Sequence, residues 1–139
     1  WDGSYALTTR LASQRAYREA GIENPREELD LIEVHDCFSV TELVTMEDLG
    51  LSKPGEGWRD VLAGTYDADG EVPCNLDGGL KCFGHPIGAT GLRMVYEIYV
   101  QLRGQAGDRQ LDTPKLGLTH NLGGFPNKNV CSISVIGTC

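Results

Sequence analysis

Residues Leu31 to Gly50 read LIEVHDCFSVTELVTMEDLG, and this stretch decides the fold. Leu31-Ile32-Glu33-Val34 is a short, largely apolar run and reads as a buried strand. Ser39-Val40-Thr41-Glu42 has the S-x-x-E pattern of a capping box, so a helix starts there, turns Val40, Leu43, Val44 and Met46 inward and ends at Gly50. His35-Asp36-Cys37-Phe38 therefore lies at a strand-to-helix junction. Side chains at such a junction project from the carboxyl end of a strand, where α/β folds hold ligands.

Working outward from that junction, Thr8 to Ala20 reads as a helix with Ala12, Ala16 and Ala20 four apart and Leu11 and Tyr17 beside them, stopped by Gly21. Residues 51–77 are rich in Gly, Pro and Asp and read as an irregular excursion, with at most a short helix near Trp58 to Ala63. A longer helix is expected from about Gly88 to Arg103. Its main apolar stripe is Leu92, Val95, Tyr96, Tyr99 and Leu102, broadened by Met94 and Ile98. KLGLTHNLGG and NVCSISVIG read as two antiparallel strands joined by a glycine-rich turn. Helix, strand, helix, excursion, helix, strand, strand is the order of a mixed α/β layered domain.

The totals bound the function. The chain has 139 residues, 40% of them hydrophobic and 23% charged, which is the make-up of one globular domain with a core. Its net charge of −8 has no compensating basic cluster, which argues against nucleic-acid binding through phosphates. No apolar run is long enough to span a membrane, and no signal peptide opens the chain. The five cysteines form no CxxC pair, which argues against a disulfide framework or a zinc knuckle and for a reducing, intracellular setting. The chain opens on Trp1 rather than Met, as a piece of a longer product would.

The three histidines, His35, His85 and His120, all fall at expected strand ends or tight turns. His85 sits in Lys81-Cys82-Phe83-Gly84-His85-Pro86-Ile87-Gly88-Ala89-Thr90-Gly91, just ahead of a helix. A cysteine among imidazoles and before a helix start, as Cys37 is, is placed to react as the thiolate. A neutral imidazole donates to a developing oxyanion. Each feature alone has a plainer account: Cys37 as a small buried hydrophobe, Gly84-His85-Pro86 as a turn, His120 as a structural histidine. Glu33 and Asp36 could form a carboxylate pair, although alternation along a strand offsets them. The residues alone carry the reading to an α/β domain with a Cys/His site suited to acyl transfer.

Together, EVHDCFSVTELVTMEDLGL, DGGLKCFGHPIGATG and THNLGG resemble the C-terminal half of a thiolase, most closely the sterol-carrier-protein or lipid-transfer branch. Most thiolases have Asn-Glu-Ala-Phe at the first motif, where this chain has His35-Asp36-Cys37-Phe38. Gly84-His85-Pro86 matches without change. The resemblance implies half of a five-layer α-β-α-β-α sandwich with a mixed sheet, in one domain over residues 1–139. It implies Claisen chemistry on 3-oxoacyl-CoA, with the coenzyme A thioester as substrate and no resident cofactor. It implies that His85 activates a nucleophilic cysteine carried by an N-terminal half and helps to bind the thioester oxygen. Cys37 is then the acid/base cysteine at the α-carbon, and His35 and His120 contribute to the oxyanion holes. By the same resemblance the fragment alone is expected to be inactive, and its parent to associate as dimers or tetramers in the cytoplasm, or in the peroxisome of a eukaryote. The loop Gly124-Phe125-Pro126-Asn127 departs from both the usual Cys-x-Gly-Gly and the branch's second glycine pair. That departure opens one rival, a thiolase-like aldolase acting on an acyl-CoA; a second, a non-catalytic lipid- or partner-binding subunit, has the retention of Cys37 and His85 against it.

Overall fold

A computed structural model of the chain describes residues 5–125 and 128–138. The expectations attached to Trp1, Pro126, Asn127 and Cys139 lie outside the described residues. The elements are α1 (Leu7–Ala20), α2 (Pro25–Glu28), β1 (Leu31–Glu33), α3 (Ser39–Asp48), α4 (Gly57–Leu62), α5 (Gly79–Phe83), α6 (Thr90–Leu102), β2 (Leu116–Phe125) and β3 (Lys128–Gly137). The order expected from the sequence is present, with two additions, α2 and α5.

The three strands form one mixed sheet in the order β1-β2-β3. β1 runs parallel to β2, with Leu31 opposite Gly117 and Glu33 opposite Thr119. β2 and β3 are antiparallel, from Leu116 opposite Gly137 to Phe125 opposite Lys128. The excursion returns to the free edge of β1, where Ile32 donates to the Pro73 carbonyl and Asn75 donates to that of Ile32.

Alternation along the strands divides the core in two. Ile32, Val34 and Leu118 face one way and join Tyr17, Met46, Leu49, Leu51 and Val72 in the main apolar cluster. Gly117 faces the other way, towards α6. A Cβ there would come within 2.7 Å of the Ile98 side chain, so glycine is what lets α6 lie against the sheet. Helices thus cover both faces of the sheet, as the layered reading requires. α1 is tied to α3 by polar contacts: Asp48 accepts from the Ala6 N–H and the Arg10 guanidinium, both at 2.6 Å, and the Tyr17 hydroxyl donates to the Leu49 carbonyl at 2.8 Å.

Several side-chain directions differ from the sequence reading. α6 presents Leu92, Val95, Tyr96 and Tyr99 outward and buries Met94, Glu97, Ile98 and Gln101. The polar members of the buried stripe are satisfied: Glu97 pairs with Arg109 at 2.8 Å, and Gln101 donates to the Arg109 carbonyl and accepts from Leu111. α1 buries Thr9, Ser13 and Tyr17, one register away from the alanine stripe, and leaves Leu11 exposed. The capping box does not form: Phe38 holds the cap position without a side-chain bond. The Glu42 carboxylate is instead drawn to the Asn75 side-chain amide at 3.2 Å. Val40 is exposed rather than inward, whereas Met46 is buried as expected.

Candidate functional site

β1 ends at Glu33, and the chain leaves the sheet through Val34, whose N–H donates to the Asn75 side chain at 2.8 Å. His35 and Asp36 then lie buried and Cys37 half-buried. The Asp36 carboxylate turns away from the strand and receives the first free N–H groups of α5, from Leu80 at 2.8 Å and Lys81 at 3.4 Å. A carboxylate there satisfies donors that a helix start leaves unpaired and complements its partial positive charge. The lysine side chain closes the link by donating to the Cys37 carbonyl at 3.2 Å.

Two glycines make this approach possible. Gly78 and Gly79 have φ of 97° and 60°, and a Cβ on Gly79 would stand 2.5 Å from an Asp36 oxygen. Asp77, Gly78 and Gly79 therefore start α5 where no periodicity announces a helix. Gly84, at φ 73°, stops it one residue ahead of His85.

The His85 imidazole is oriented by the helix that follows. Its Nδ1 lies 2.8 Å from Thr90 Oγ1, and the same hydroxyl donates to the Pro86 carbonyl at 3.2 Å. A hydroxyl has one proton to give. With that proton on Pro86, the imidazole Nδ1–H is the donor to Thr90, and Nε2 carries the free lone pair. His35 meets this ring edge-on, with centroids 4.9 Å apart and planes at 81°. Burial, followed by the neighbouring His85, lowers the pKa of His35, and nearby Asp36 opposes that shift. His35 is thereby kept neutral more readily than a free imidazole, and its buried Nδ1 has no hydrogen-bond partner among the described residues.

His35, Cys37 and His85 line one cleft of about 580 Å³, walled by Phe38, Val40 and Val44 and closed by Leu122, Gly123 and Gly124 at the end of β2. The Cys37 thiol makes only a weak contact, 3.8 Å to Thr41 Oγ1. A larger groove of about 670 Å³ lies elsewhere, along Arg26, Glu71 and Asp112, and has neither cysteine nor histidine in its lining.

His120 does not line the cleft. It shares the parity of Leu118 along β2 and so faces the α1 side, fully buried, with Nε2 3.1 Å from Thr9 Oγ1. Burial first, and His35 second, push its pKa down to about 3. Sequence reasoning missed Asp36 as an anchor and Thr90 as the partner that orients His85. A carboxylate next to the cysteine and a threonine five residues past the histidine were the only signals. Among the described residues Cys37, Cys74, Cys82 and Cys131 are all free thiols. No helix among them is long and apolar enough to cross a membrane.

Comparison with known proteins places this geometry in a family context. The family described as thiolase C-terminal domain-like matches residues 4–135. An acetyl-CoA acetyltransferase of Methanothermobacter thermautotrophicus is 50% identical over 97 residues, 70% of this chain and 25% of that protein. Human sterol carrier protein 2 is 45% identical over 115 residues, 83% of this chain and 21% of that protein. The chain thus spans about a quarter or less of the length of these two relatives. Among solved structures, the Ltp2-ChsH2(DUF35) aldolase superposes with a TM-score of 0.76 over 93% of this chain and 31% of that one, at 22% identity, which speaks to the fold alone.

Proposed function

The chain belongs to the thiolase C-terminal domain family, and from that premise we propose that it supplies one wall of a site where a carbon–carbon bond of a 3-oxoacyl-CoA is made or cleaved. The observation that carries the reading is the edge-on His35–His85 pair opening, with Cys37, onto one cleft.

Each group has a task that its surroundings suit. His85 holds its Nδ1–H on Thr90, so Nε2 is free to take the proton of a cysteine thiol contributed by the remainder of a full-length enzyme. The imidazolium then donates to the thioester oxygen as negative charge gathers there. His35, disfavoured as a cation, gives a neutral N–H donor to an enolate oxygen. Cys37 sits on the same cleft and moves the proton at the α-carbon: as thiolate it removes it, and as thiol it returns it to the carbanion released by C–C cleavage. The apolar wall of Phe38, Val40 and Val44 suits an acyl chain and keeps water from the enolate. His120 acts from beneath the site, through packing. The coenzyme A substrate, the acyl transfer and association of the parent protein into dimers or tetramers are parts of the same proposal.

The test is thiolysis of acetoacetyl-CoA by the full-length protein, followed by loss of the 3-oxoacyl absorbance on adding CoA. Cys37→Ala and His85→Ala should each lower kcat by about 10²–10⁴-fold, the usual weight of a positioned acid or base. An unchanged rate in either variant overturns the role given to that residue. Retro-aldol cleavage of a 3-hydroxyacyl-CoA without thiolysis would replace the acyl-transfer reading with an aldolase using the same cleft.

A further inference from the structure

Beneath the cleft three ionisable side chains meet. Arg93, one turn past Thr90 on α6, pairs with Asp77 and stands 3.5 Å from Glu33. Their side chains are 17%, 6% and 0% exposed, respectively. The guanidinium also lies over the Phe83 ring, 5.4 Å from its centre. None of these four residues lines the cleft.

The contacts join every segment that carries the site. Glu33 is the last residue of β1, two before His35. Phe83 is the last residue of α5, two before His85. Asp77 opens the α5 turn, and its second oxygen accepts the Gly79 N–H at 2.9 Å. Arg93 shares a helix with Thr90, which holds the His85 ring. One planar group therefore touches β1, both ends of α5 and the helix that orients the imidazole.

We propose that Arg93 and Asp77 are positioning residues that set the His85 imidazole against His35, an inference that rests on the acyl-CoA site described above. Stability alone does not account for the cluster. Buried charges cost several kcal/mol each to desolvate and are often replaceable by apolar residues without loss. Here, moreover, the Arg93 Nε and one terminal nitrogen have no hydrogen-bond partner among the described residues. What the cluster does supply is rigidity: a guanidinium is a fixed fork that presents several donors in one plane. That fork fixes the distance between the strand under His35 and the loop under His85. A lysine reaching the same carboxylates is a point charge on a flexible stem and does not fix it.

The experiment uses full-length protein carrying ¹³C at the histidine Cε1 positions. Arg93→Met, Arg93→Lys and Asp77→Asn are compared with wild type in three measurements: histidine titration by NMR, steady-state thiolysis and thermal unfolding. Positioning predicts that the His35 and His85 titration midpoints both move in Arg93→Met and Asp77→Asn. It predicts a fall in kcat of about tenfold or more with KM changed less than twofold, since small misplacements near reacting atoms weigh heavily. Arg93→Lys should recover the melting temperature and not kcat. Wild-type titrations and kcat in either Asp77→Asn or Arg93→Met overturn the inference, as does an Arg93→Lys variant with full kcat. If the wild-type protein itself shows no turnover of acyl-CoA, the proposed function fails, and the histidine titrations still decide the positioning role.

Discussion

The Asp36 carboxylate accepts the Leu80 N–H at 2.8 Å and so ties the segment carrying Cys37 to the one carrying His85. The bond is buried and charge-assisted, the class worth about 1.5–3 kcal/mol when a partner is removed. Asp36→Ala should destabilise the protein by about that much in urea unfolding, and Asp36→Asn, which keeps one acceptor, by less. An Asp36→Ala midpoint equal to wild type would mean the anchor contributes nothing.

Gly79 must be glycine on two counts, its φ of 60° and the 2.5 Å approach of Asp36 to the place a Cβ would take. The left-handed backbone alone costs an L-residue about 1–2 kcal/mol. Gly79→Ala should exceed that, whereas Gly21→Ala, at φ 74° in open space, should stay within it. Measuring both by denaturant titration separates steric conflict from backbone strain. Equal losses would remove the conflict with Asp36.

Helix and strand order was legible in the sequence because apolar spacing and glycine stops are local signals. Side-chain direction was less so. The apolar stripe of α6 drew the eye to Leu92, Tyr96 and Tyr99, yet Met94 and Ile98 meet the sheet. The buried companions Glu97 and Gln101 look like solvent residues until Arg109 and Leu111 are brought to them by the fold. α5 was not legible, because five residues entered through two positive-φ glycines, Gly78 and Gly79, make a helix only when a distant carboxylate receives their N–H groups. Of the candidate site, His35, Cys37 and His85 meet on one cleft. His120 is not among the residues that line it and is buried against Thr9 instead.

Thr90 fixes which nitrogen of His85 is free. Thr90→Val keeps the shape and removes the hydroxyl. A hydrogen bond of this kind is worth about 1 kcal/mol net, so kcat for thiolysis should fall about fivefold, with a displaced His85 titration in NMR. An unaltered pH–rate profile in this variant would show that the ring is oriented by packing instead.

Stability should peak between the influences of two buried groups. Burial raises Glu33 from 4.5 to about 8, with Arg93 pulling the other way. The folded state therefore holds that proton more tightly than the unfolded chain. The resulting stability is complete below pH 4.5 and is lost as pH rises to about 8. His120, lowered from 6.5 to about 3, has the opposite sign: its contribution is complete above 6.5 and is lost as pH falls to about 3. Glu42 and Asp48, also raised by burial, add to the first trend, and His35 to the second. Urea unfolding from pH 4 to 9 should show a maximum that flattens on the alkaline side in Glu33→Gln. A decline of unchanged slope in that variant would assign it to other groups.

The parallel pairing of β1 with β2 has a kinetic consequence. Leu116 donates to the Asp30 carboxylate 86 residues away in sequence, and α3 to α6 all lie between the two strands. Such a pairing rewards the chain only after the whole intervening crossover has been gathered in, so its closing entropy must be met first. The junction that bears His35 and Cys37 leaves the sheet beside that pairing. A chain caught part-way through folding has helices and hairpin available early, but not the cleft. Catalytic competence should thus appear in the last phase of refolding, together with β1 docking, and not grow in step with helix content.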